Sequence, residues 1–135
     1  MNRRISYKGA QPSAPPKSRK RIPFEFVLDA IAAREPVVKP MFGCYGVYVG
    51  GKMVFILRER KTHPEDNGMW LATSREHHES LRKEFPSMRS IGVLSSGVTG
   101  WQLLASSEDD FERNALNACK LVLRGDSRIG KLKSA

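Results

Sequence analysis

Cysteine is scarce in this chain. Cys44 and Cys119 are the only two among 135 residues, too few for the disulfide framework of a small secreted scaffold. Histidine is scarce too. His77 and His78 are adjacent, so on a helix they project roughly 100° apart, and His63 falls in a polar loop. No zinc-finger spacing exists, and neither a metal site nor a cofactor is expected. Long apolar runs are missing as well. The longest uncharged stretches are Ser90–Ser107, more than half polar or glycine, and Pro40–Gly51, against the roughly 20 apolar residues that span a bilayer. A membrane protein is excluded on that ground. Motifs for nucleotides are lacking: there is no G-x-G-x-x-G and no G-K-[ST], and the Ser95–Gly100 loop leads into a strand pattern rather than a helix.

Acid is absent where base is abundant. The formal net charge is +9. Residues 1–22 carry Arg3, Arg4, Lys8, Lys17, Arg19, Lys20 and Arg21 with no acid. Arg124, Arg128, Lys131 and Lys133 face only Asp126 at the other end, and residues 23–123 are nearly balanced. Charge placed this way points to polyanion contact through flanking arms. Three prolines within Gln11–Lys17 keep the first segment from folding alone. They also interrupt the amphipathic helix of a transit peptide, and an apolar secretion core is missing, so the cytoplasm is the default location. Lys17–Arg21 serves equally as a nuclear address, a phosphate-contacting arm or a solubilising tail. We therefore divide the chain into a basic, proline-rich tail over 1–22, a folded domain over 23–124, and a second basic tail over 125–135.

Within the domain, Pro23 occupies a first helical position, and Phe24, Val27, Leu28 and Ile31 repeat at helical spacing until Pro36 stops the run. The stretch Val37–Arg60 reads as two β arms joined at Gly50-Gly51, whose positions need positive φ. Gly43 and Gly46 mark a bulge or a close backbone approach in the first arm. The second arm, Lys52–Glu59, is apolar on both faces, which implies a strand covered on both sides or one central in its sheet. Asn67-Gly68 signals a turn, and Met69–Thr73 is a third strand. A second helix runs from Ser74 to Phe85, with Leu81 and Phe85 inward and mixed charges outward. Ile91–Leu94 and Trp101–Ala105 are two further strands. A last helix starts at Ser107, buries Phe111, Ala115, Ala118, Cys119 and Val122, and closes at Arg124-Gly125. The order is α-β(3)-α-β(2)-α, an α+β domain with an antiparallel sheet packed by helices, large enough for one core.

The stretch M-F-G-C-Y-G-V-Y-V-G-G-K-M-V-F-I-L resembles the opening hairpin of the TfoX (Sxy) N-terminal domain family. N-G-M-W-L-A-T-S resembles that family's third strand and second helix. Glu76–Leu123 is also similar to the related YjbR/MmcQ proteins. The resemblance covers roughly residues 23–125 and implies helices against a curved antiparallel sheet. It further implies a regulatory or DNA-associated role, and it attaches no catalytic residue to the motif. Cys44 stands where the family's second glycine is usual, and the second helical domain of full-length competence regulators has no counterpart in these residues.

No nucleophile, base and orienting group can be nominated together, so an enzyme is not expected. Cys119 and Cys44 read as small hydrophobes. Trp70 and Trp101 either fill the core or offer a stacking face. The candidate phosphate-contacting residues are Arg3, Arg4, Lys17, Arg19, Lys20, Arg21, Arg124, Arg128, Lys131 and Lys133. They make salt-sensitive contacts without reading a nucleic-acid sequence. The alternative is a module that binds an acidic or amphipathic protein partner through its sheet or a helix surface.

Overall fold

A computed structural model describes residues 21–92 and 100–132. The first helix is shorter than its apolar spacing predicts. α1 spans Glu25–Ala30 and gives way to a single 3-10 turn at Ala32–Arg34. Phe24 adopts a left-handed conformation (φ 57°) that turns the chain into the helix, and its ring meets Phe111 edge-on at 5.1 Å. Tertiary contact, rather than local propensity, sets this helix start.

Val37–Val49 is two strands rather than one arm. β1 (Val37–Met41) and β2 (Cys44–Val49) pair antiparallel around a tight turn at Phe42-Gly43, with φ of 51° and 78°. A phenylalanine in that conformation is costly, which is why the turn does not announce itself in the sequence. The Gly50-Gly51 hairpin forms as expected, with φ of 59° and 84°, and leads into β3 (Lys52–Arg58). β4 covers Gly68–Ala72. A 3-10 turn at Arg75–His77 precedes α2 (His78–Glu84).

The strand expected at Ile91–Leu94 is replaced, within the described residues, by a two-residue β5 at Arg89–Ser90. Residues 93 and 94 and most of the Ser95–Gly100 loop lie outside them. β6 (Trp101–Ala105) matches its prediction. α3 (Phe111–Leu123) begins after Asp110, without the Ser107 side-chain cap. β7 (Lys131–Leu132) was not anticipated. Residues 125–132 therefore do not leave the body as a tail. Ile129 is buried, Gly130 N–H donates to the Ala72 carbonyl, and β7 pairs with Lys52 and Met53 of β3.

The sheet is antiparallel throughout, in the order β1-β2-β3-β4-β6-β5, with β7 on the remaining length of β3. Strand alternation sorts its two faces. Val47, Phe55, Leu57, Met69, Leu71 and Leu104 meet α1, α2 and α3 in the main core. Cys44, Ile56, Trp70 and Leu103 point the other way into a smaller cluster bordered by Met41, Met53, Trp101 and Ala105. No described helix contributes to that second cluster. No described helix is long and apolar enough to cross a membrane.

Candidate functional site

The face of the sheet away from the helices carries a concave apolar surface. A cleft of about 330 Å³ lies between Met41, Met53, Ile56, Trp70 and Trp101. Its hollow owes something to Gly46, because a Cβ there would press within 3.0 Å of the Met41 sulfur and 3.2 Å of the Met53 methyl. Trp70 is buried, with its indole N–H donating to the Asp66 carbonyl. Its ring centroid lies 6.2 Å from that of Trp101. Both readings of the tryptophans thus apply to one pair: Trp70 fills the cluster, and the partly exposed Trp101 presents a face. Phe42, at the turn between β1 and β2, stands beside the cleft with 86% of its surface exposed.

Arg58 and Arg60 close one end of this cleft. Arg58 is 2% exposed, and its hydrogen-bond partners among the described residues are neutral. It donates to the carbonyls of His63 and Thr62 and to Asn67 Oδ1, each at 2.8 Å. Asn67 in turn takes the Arg60 backbone N–H on Oδ1 (2.9 Å) and donates Nδ2 to the Arg60 carbonyl (2.8 Å). These bonds hold the polar loop after β3 in one shape. The Arg60 guanidinium crosses Gly43 and donates to the Phe42 carbonyl at 3.2 Å. Gly43 permits that crossing, since a Cβ would sit 2.7 Å from Arg60 Nη1. The close approach expected at the Gly43 position is therefore made by a side chain, not by backbone. Burial without an ion-pair partner among the described residues makes this end of the sheet electropositive.

Cys44 touches the same region, with Sγ 3.8 Å from the Phe42 carbonyl. Burial pushes its thiol pKa up, and the neighbouring Arg58 and Arg60 only partly oppose the shift. That is the environment of an inert thiol rather than a nucleophile. Cys119 is more enclosed still, its thiol pushed up to about 12 by burial. His78 is buried with Nε2 unpartnered among the described residues, and burial holds its pKa below the ordinary value. Among the described residues no group of three or more His, Cys, Asp or Glu is placed to hold a metal ion.

Four of the ten predicted phosphate-contacting residues, Arg21, Arg124, Arg128 and Lys131, fall within the described residues. Arg3, Arg4, Lys17, Arg19, Lys20 and Lys133 lie outside the described residues. Arg128 is committed to its own protein. It forms ion pairs with Asp126 (2.9 Å) and Glu84 (2.6 Å), and its side chain is 18% exposed. Arg124 leans on the same Asp126 at 3.2 Å. The Lys131 ammonium rests 5.8 Å from the Trp101 ring centroid. These three bases are thereby spread between a structural ion-pair knot and an aromatic contact, and of the four described candidates Arg21 alone lines the cleft beside Arg60. What sequence reading missed was the run Arg58-Glu59-Arg60-Lys61, a local concentration of base inside an otherwise balanced segment. No protein family, curated protein or solved structure matches the chain, so the TfoX resemblance rests on its motif residues alone.

Proposed function

We propose that this protein is a non-enzymatic binding module that receives an acidic, amphipathic segment of a protein partner on the open face of its sheet. A small TfoX-like regulator acting through protein contact would work in this way. The observation that carries the reading is the apolar cleft between Met41, Met53 and the two tryptophans, closed at one end by arginines. An apolar side chain entering it gains about 1.5–3 kcal/mol from leaving water, and the arginines select a partner of opposite charge.

The test is a titration of tryptophan fluorescence with a short peptide of alternating leucine and glutamate, set against its leucine-lysine counterpart. The acidic peptide is expected to saturate a change in Trp101 emission, to weaken with salt, and to lose affinity about tenfold in Met41→Gln. Equal response to both peptides, or to neither, removes the reading. A second reading, nucleic-acid contact, draws on the seven bases and no acid of residues 1–22. It predicts duplex binding at about 50 mM salt that disappears when that segment is deleted.

A further inference from the structure

On the far side of Arg60 lies a second, polar cleft of about 390 Å³. Arg21 reaches it from the segment ahead of α1, Tyr45 from β2, and Glu59, Arg60, Lys61 and Thr62 from the loop after β3. Three cations thus meet one carboxylate. None of the three forms an ion pair among the described residues. Arg58, buried and without an ion pair among the described residues, bonds the Thr62 carbonyl of the same loop, so its charge adds to theirs. The loop that presents Arg60, Lys61 and Thr62 is tied down by Arg58 and Asn67 before any ligand arrives. Like charges gathered in a concave, ordered place favour an anionic ligand.

We infer that this cleft binds a phosphoryl monoester. A monoester carries close to two negative charges at neutral pH on a compact group with three acceptor oxygens. That matches cations from two distant segments lining one cleft, where a phosphodiester strand would need single cations spaced along a surface. Arginine guanidinium donors suit such an oxyanion. Arg60 also lines the apolar cleft, so the phosphoryl group sits beside a place for an apolar neighbour. This deepens the binding-module reading and rests on it only for that neighbour.

The test is a two-dimensional amide NMR titration of the full chain at constant ionic strength. Its probes are glycerol 3-phosphate, a hexapeptide with one phosphoserine flanked by leucines, the unphosphorylated peptide, and dimethyl phosphate. Both monoesters are expected to shift the Arg60, Lys61 and Thr62 amides saturably, and dimethyl phosphate to bind at least tenfold more weakly. Arg21→Gln and Arg60→Gln should each weaken monoester binding about tenfold at an unchanged melting temperature. A phosphopeptide tighter than glycerol 3-phosphate, with the difference erased by Met41→Gln, identifies a protein segment as the source. The reverse order identifies a small phosphorylated metabolite and removes the apolar-partner reading while leaving the phosphoryl site standing. Shifts that spread over exposed lysines and arginines without saturating overturn the inference, as does a DNA duplex that displaces glycerol 3-phosphate.

Discussion

Replacing Asp126 by asparagine removes one charge from the knot that ties the chain after α3 to α2. Asp126 accepts the Arg128 backbone N–H (3.0 Å), Arg128 Nε (2.9 Å), Arg128 Nη2 (2.9 Å) and Arg124 Nη2 (3.2 Å). The side chains of Asp126 and Arg128 are 13% and 18% exposed, so solvent screens their pairing little. Arg124 is 64% exposed and adds little to the knot. Asparagine keeps one acceptor oxygen, and Glu84 still holds Arg128, so the guanidinium is not orphaned. What is lost is one charged partner in a hydrogen-bonded pair, a cost of about 2 kcal/mol. For a domain of this size that lowers the melting temperature by roughly 10 °C.

The pH dependence has a definite sign. The Arg128 side chain holds the Asp126 carboxyl well below the usual carboxylate range, with burial opposing, and the same contact raises the guanidinium. Stability from a depressed carboxylate is fully present above its unfolded value, near 3.9, and is lost as pH falls through the folded value. Urea unfolding followed by circular dichroism at about pH 7, 5 and 3 reads the difference between wild type and Asp126→Asn. The gap is expected to be full at the two higher values and smaller at the lowest. A gap under about 0.5 kcal/mol at neutral pH, or one as large at pH 3 as at pH 7, refutes the reasoning.

Gly43→Ala forces a side chain into a left-handed position (φ 78°) and against Arg60 Nη1. It should cost about 1–2 kcal/mol and weaken the acidic peptide by displacing the guanidinium; an alanine variant with native stability and affinity shows that Gly43 does not position Arg60. Burial holds the His78 pKa below its ordinary value, with Arg82, Arg75 and Lys131 adding to the shift and a Gly100 backbone bond opposing it. A depressed histidine stabilises above its unfolded pKa, near 6.5, and loses that contribution as pH falls through the folded value. The melting temperature should therefore decline on acidification below about pH 6.5, and His78→Leu should flatten the decline; parallel profiles count against this. Both thiols should resist iodoacetamide at about pH 8 until denaturant is added. One fast-reacting thiol in the native protein contradicts the burial of Cys44 and Cys119.

Features decided by short-range rules were legible in the amino-acid order. Gly50-Gly51 specifies a hairpin because few other residues tolerate two consecutive positive φ values. The apolar stripe of α3 reads directly as a buried face. The α+β class follows from those local patterns. Tertiary structure alone decided the rest. Phe42 enters the left-handed region because β1 and β2 pair across it, which splits one expected arm into two strands. Ile129 and the Asp126–Arg128 knot draw an expected basic tail onto the body and consume its arginine. Arg21 and Arg60 stand 39 positions apart in the sequence and share a cleft only because strand register and the path into α1 bring them there. Charge counts reveal how much base a chain holds; which bases are neutralised and which converge depends on distances that no local pattern encodes.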